Sequence, residues 1–419
     1  MKKLIAVLIA LIGYSVVTSA QEATSVKDAT YYTDAQVTDI LRNMPNVEVG
    51  KGVTFKSKDN RYKLTMRLRM QSLVGLTFDN NFALNKTEAC IKRLHLRFDG
   101  HVFTPKVAYS IQLGYSPYDA KDLPDGSINI IRDAMLYYVP SSAFNIGIGQ
   151  TKLRGGRANI NSSSALQFVN RSIVNSEFSI DRDFGVFAEF HNSIGPTFNY
   201  AIKGSITTGE GRNYAVSQKS GLAYTARVEL YPLGKFASRG EVSEGCYVRE
   251  SSPKLALGGA YSYNDRACRL QGQKGALLDD NNRRSLHSWY ADLIFKYQGF
   301  AFYTDVMGRL CHNASITNDQ GEVLQHIYTG WGVNVQASYT FEYDWEVGLR
   351  HSTLLPDDST AAYEGYDTEN QATVVLTKYF IGHNLKIHAD LSYNYATGAS
   401  PDYLNNNRWQ ALISVDVGI

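Results

Sequence analysis

After its first twenty residues the chain has no apolar run of eighteen or more, so no later segment is long enough to cross a bilayer as a helix. If the protein spans a membrane, strands must do it. Proline is scarce, 10 in 419 residues, which argues against proline-rich linkers and favours regular structure. The four cysteines, Cys90, Cys246, Cys268 and Cys311, lack metal-ligand spacing and are too few to staple a chain of this length. A Cys268–Cys311 disulfide would need an oxidising compartment, and unpaired thiols are the plainer reading. A one-sided charge is missing too. The chain has 42 basic and 40 acidic residues, and losing Lys2 and Lys3 with a leader leaves 40 against 40. Global charge therefore points to neither a nucleic acid nor any other anionic partner. The sequence holds no HExxH, GxSxG, CxxC or glycine-rich phosphate loop, which argues against an enzyme and implies no cofactor or metal.

What is present begins with "MKKLIAVLIALIGYSVVTSA", two lysines, an apolar core and a small-residue end. Residues 1–20 read as a secretory signal peptide. Residues 21–60 read as a periplasmic segment, in which Val37, Ile40, Leu41 and Met44 have the spacing of a short helix. Residues 61–419 read as one strand-rich domain. "RYKLTMRLRMQS" alternates, with Tyr62, Leu64, Met66, Leu68 and Met70 on one face and Arg61, Lys63, Thr65, Arg67, Arg69 and Gln71 on the other. About sixteen such segments follow one another, most near the ~9–11 residues that cross a bilayer at a tilt. Short links such as "VPSSA", "YQG" and "FEYD" alternate with long polar ones near 74–90, 116–129, 151–183 and onward. That alternation predicts an all-β fold, a transmembrane antiparallel β-barrel with turns at one rim and loops at the other. Soluble sandwiches also alternate, but they gain nothing from so regular a loop pattern. One link, "YPLGKFASRGEVSEGCYVRESSPK", is long where a short one is due.

Several segments resemble the phosphate-selective porins O and P in the form common in Bacteroidetes-type bacteria. "GKGVTFKSKDNRYKLTMRLRMQ" is similar to that family's first strand, and "RDAMLYYVPSSAFNIGIGQTK" to its strand-turn-strand before the constriction loop. "LQFVNRSIVNSEFSIDRDFGV" is similar to the second half of that loop. The chain departs from the family at "LRGGRANI", where a proline-containing turn is common, and in ending on Ile419 rather than an aromatic residue. The resemblance implies a sixteen-stranded barrel, often a homotrimer, with a long inward-folding third external loop. It also implies passive diffusion of small anions, phosphate among them, past basic residues.

Placing Arg at the lipid midplane of a barrel costs ~2–4 kcal/mol, so the basic faces must point into the lumen. Arg67 and Arg69, with Arg93, His95 and Arg97 of the next segment, are the expected pore-lining anion path. Their alternative is paired filler, with Asp133, Glu189, Asp292 and Asp305 as available carboxylates. The loop 151–183 contributes Lys152, Arg154, Arg157, Arg171, Arg182 and Asp183, either as a constriction or as an external lid. These readings predict an outer-membrane porin with lipid around it and both termini periplasmic. The alternatives are a barrel hydrolase and a non-conducting structural or adhesin barrel.

Overall fold

The computed structural model describes residues 46–48, 50–119, 129–213, 221–279, 282–398 and 407–419. The expected signal peptide and the helix near 33–44 lie outside them. Two short strands, β1 (Asn46–Glu48) and β2 (Gly52–Lys56), lead in. Then come β3 (Lys63–Asp79), β4 (Leu84–His101), β5 (Val107–Gly114), β6 (Ile131–Tyr138), β7 (Phe144–Lys152) and β8 (Arg182–Ile194). β9 (Phe198–Thr207), β10 (Ala223–Tyr231), β11 (Lys254–Ala267), β12 (Arg284–Tyr297) and β13 (Phe300–Cys311) continue the wall. A small separate hairpin, β14 (Ser315–Thr317) and β15 (Val323–His326), precedes β16 (Gly330–Thr340) and β17 (Trp345–Pro356). β18 (Thr368–Ile381), β19 (Leu385–Thr397) and β20 (Arg408–Gly418) complete it.

Each of the sixteen long strands pairs antiparallel with the next, and β20 returns to β3 with Leu412 opposite Gly75 and Gly418 opposite Arg69. The barrel is closed, so it has no free edge among these strands. The chain's last residue completes the seam, Ile419 N–H donating to Leu68 O at 2.9 Å. Just beyond it β2 pairs with β3, Val53 opposite Met66. The sheet thus begins ahead of residue 61, where the sequence had put the domain boundary.

Period two explains the wall. Ile148, Ile206, Leu349 and Ile413 stand exposed on the outer face, where lipid would cover them. Aromatic side chains gather at strand ends, such as Phe82, Tyr393 and Trp409 at the long-loop rim and Tyr339, Phe341 and Trp345 at the short-turn rim. Cys246, Cys268 and Cys311 are thiols, so Cys268 and Cys311 do not bridge.

The expected loop at 74–90 is instead the upper part of the β3–β4 hairpin, with Thr77 opposite Lys86 and a tight turn at residues 80–83. Pairing continues there while the apolar face fades, so alternation stops reporting the strand. Other long connections also carry structure, as in helix Asp358–Glu364, whose N-cap Asp357 accepts from Thr360 N–H at 3.0 Å.

Candidate functional site: the inner wall and its two insertions

The lumen is not an open tube. The third long connection folds inward, and its Leu153, Leu166, Phe168, Val169, Val174, Phe178 and Ile180 are all buried. Helix Ile173–Phe178 lies against β13, β16 and β17, and its N-cap Ser172 accepts from Asn175 N–H at 3.1 Å. Phe178, Tyr290, Ile294, Tyr303, Met307 and Leu354 form an apolar core inside the barrel. Burial of this kind holds a loop in place through the same apolar transfer that builds a globular core.

Most cations of this loop act as its fasteners. Lys152 Nζ donates to Asn159 O at 2.5 Å and Asn161 O at 3.1 Å. Arg171 donates to Ala158 O at 2.7 Å and Asn161 O at 3.0 Å. Arg154 pairs with Glu189 at 2.8 Å. Arg157, buried, donates to Asp292 at 2.7 Å, and Arg227 reaches the same carboxylate at 2.7 Å. Burial alone would lower the pKa of Arg157, but Asp292 and Glu229 raise it, so it stays charged. Arg182 grips Asp133 with two bonds of 3.1 Å, and Asp181 at 3.3 Å. Asp183 does not pair with Arg182; it accepts from Thr208 Oγ1 at 2.7 Å and Gly209 N–H at 2.6 Å, anchoring the following connection. The expected carboxylate partners Asp133, Glu189 and Asp292 are therefore taken up by the loop and wall, while Asp305 accepts from Tyr303 Oη at 2.8 Å.

The basic patch is assembled as the two-strand reading required. Across β3 and β4, Arg67 stands opposite Arg97, Arg69 opposite His95 and Gln71 opposite Arg93. Like charges directly opposite one another are unfavourable, and carboxylates between them relieve most of the repulsion. Asp99 pairs with both Arg67 and Arg97. Arg69 reaches Asp416 of β20 at 2.5 Å and Ser163 Oγ of the loop at 2.7 Å. Gln112 Nε2 lies 3.1 Å from His95 Nδ1; an amide nitrogen only donates, so His95 Nε2 carries the proton and donates to Asp119 at 3.2 Å. Arg93 differs, because its hydrogen bond goes to the neutral Gln71 Oε1. The basic patch is thus largely charge-compensated, and Arg93 is its member bonded to an amide instead of a carboxylate.

Two lumen cations escape the sequence pattern for one reason. Between Gln71–Arg93 and Ser72–Ile91 the register slips, leaving Lys92 as an extra residue on β4. Between Gln112–Asp133 and Leu113–Ile131 it slips again, leaving Arg132 on β6. A bulge re-aims its extra side chain. Lys92 turns inward to Asn170 Oδ1 of the loop, and Arg132 turns inward to Asp119. Strict alternation from Arg93 and Asp133 would put both on the lipid face. Asp99 and Asp416, by contrast, continue period two on their strands and were legible.

The remaining exposure is lopsided. Arg67 and Arg97 keep 41% and 45% of their side-chain surface, and Arg154 and Arg132 keep 19% and 16%. Across the barrel Lys296, Asp305, Arg309, Ser352, Thr377 and Lys386 are all fully buried. The partly exposed cations named here thus stand on the β3–β8 side, where Gln71, His95, Asp133 and Gln150 are nonetheless buried.

Residues 64–234 match the family model described as phosphate-selective porin O and P. No curated protein matches the chain in sequence. Among solved structures, OmpF of Salmonella typhi, in complex with daunomycin, is 11% identical, with TM-score 0.54 over 87% of this chain and 100% of that one. OprB of Pseudomonas putida is 12% identical, with TM-score 0.53 over 86% and 95%. The outer membrane channel DcaP of Acinetobacter baumannii is 12% identical, with TM-score 0.51 over 87% and 99%. At such identities the likeness is one of fold. Residues 64–234 are thus similar to the phosphate-selective porins O and P, and the barrel they open has the fold of outer-membrane porins.

Proposed function

We propose that the protein is an outer-membrane porin that passes small solutes by diffusion along the β3–β8 side of its lumen, with a weak preference for anions. The observation that carries this reading is the residual exposure of the cations Arg67, Arg97, Arg132 and Arg154, whereas Lys296, Arg309 and Lys386 across the barrel are fully buried. Rings and rows of charged side chains bias ion entry electrostatically. The preference is weak because Asp99, Asp119, Glu189 and Asp416 offset most of that charge. The family match supports a channel rather than a barrel hydrolase, and the long-loop rim is read as external with both termini periplasmic. A homotrimer is the assembly that the family resemblance implies.

The test is zero-current potential in a KCl gradient across a planar bilayer, with phosphate added as a competitor. The wild type should favour chloride, and changing Arg67, Arg69, Arg93 and Arg97 to Gln should abolish or reverse that preference. Asp99 and Asp416 would then stand unopposed. Cation preference in the wild type would refute the anion reading and leave the channel standing.

A further inference from the structure

The connection between β10 and β11, residues 232–253, sits on the rim whose other turns are as short as 298–299 and 382–384. It does not hang outside the barrel. Phe236, Gly240, Glu244, Cys246 and Glu250 are buried, and the segment's partners include wall residues, the inward loop and the neighbouring rim turns. Lys296 of β12, itself fully buried, spends its ammonium on the segment's backbone. It donates to Gly240 O at 2.8 Å, Ser243 O at 2.9 Å and Gly245 O at 2.5 Å. Gly245 lies so close to the wall that a Cβ there would stand 2.3 Å from Glu346 Oε1. That carboxylate cannot swing away freely, because Gln167, Ser338 and Tyr379 all donate to it.

The same segment meets the third loop coming from the other rim. Glu244 N–H donates to Ala165 O at 3.4 Å, Gln167 N–H donates to Glu244 Oε2 at 3.1 Å, and Arg157 donates to Glu241 O at 3.2 Å. Tyr247 packs on Tyr379 with ring centroids 4.8 Å apart. Local propensity does not explain this path. Ser238 and Arg239 both hold positive φ, 50° and 59°, a conformation that costs non-glycine residues of order 1–3 kcal/mol each. Tertiary docking must supply that.

We propose that residues 236–250 are a second constriction element, entering from the short-turn rim, that closes the β11–β19 half of the lumen together with the third loop. Lys296 is its latch. Permeation is thereby confined to the cation-lined side, so this segment limits pore size and sharpens selectivity. The inference rests on the porin reading, and the experiment separates the two.

Residues 235–252 are replaced by a short Gly-Ser turn, and the variant's heat-modifiable migration is used to confirm a folded barrel. In a second variant, Lys296→Met, the segment stays but loses its latch. Single-channel conductance in KCl and liposome swelling with sugars of increasing size are measured for both and for wild type. The shortened protein should show roughly doubled conductance and admit larger sugars, because the aqueous path widens from one side of the lumen to both. Its anion preference should fall, and Lys296→Met should give a noisier current and faster proteolytic cleavage within 236–250. A conducting wild type with unchanged conductance and sugar limit in the folded shortened variant would overturn this proposal while leaving the porin reading intact. A silent wild type beside a conducting shortened variant would support the segment as a closing element and remove the resting-porin reading. Silence in all three would overturn both.

Discussion

Arg93 and Arg67 face the same lumen, yet their surroundings assign them different weights. Arg67 shares Asp99 with Arg97, so removing one arginine leaves the carboxylate compensated by the other. Arg93 is bonded to a neutral amide oxygen, so its hydrogen-bond partner does not offset its charge. Arg93→Gln alone should therefore roughly halve the excess of anion over cation permeability, and Arg67→Gln should change it far less. Equal shifts in zero-current potential would show that carboxylate pairing does not decide which cation the solute senses. Buried Arg157 belongs to a different class. It shares Asp292 with Arg227, both arginines being buried inside the barrel, and it also donates to Glu241 O. Its role is to hold the loop, whatever the permeating ion.

At the scale of elements, two kinds of device shape the lumen. Bulges deliver Lys92 and Arg132 beside residues that already point inward, raising local positive charge without lengthening the wall. Lysines then fasten the insertions by their carbonyls: Lys152 at the base of the loop, Lys386 on Leu166 O at its tip, Lys296 on the second insertion. The loop also has an acid-sensitive clamp. Burial alone would raise the pKa of Asp181, but Arg182, Arg212 and Arg132 pull it down to about 2. A carboxyl depressed in the folded state contributes stability that is complete above its unfolded value of about 4 and lost as pH falls through about 2. Between those values the loop's hold should loosen, seen as a noisier and larger single-channel current. In Asp181→Asn that acid step should be missing; its persistence would assign the transition to other carboxylates.

For the whole molecule, an even number of strands returns the chain to the side where it began. A short epitope at Gly321, an exposed turn with no atom near its Cβ position, should be reached by antibody on intact cells. One placed after Ile419 should be reached only after the outer membrane is breached, and the opposite labelling would invert the barrel. Cross-linking of the detergent-extracted protein should give a three-subunit species that separates on heating. A single monomeric band under all conditions would refute the homotrimer.

Alternation by itself determined the wall. A side chain facing lipid and one facing water differ by several kcal/mol for an arginine, so period two reports strand, face and count without reference to partners. Leu64, Met66 and Leu68 outward and Arg67 and Arg69 inward follow from that difference alone. Only the tertiary structure decided what those inward residues meet. Asp416 comes from the far end of the chain, Asp119 from a connection without any pattern, and Lys92 and Arg132 from slips of one residue. Nor could the sequence show that the link 232–253 turns into the barrel. Its position depends on Lys296, Glu346 and Ala165, residues distant in the chain, and local periodicity carries no record of contacts made across a lumen.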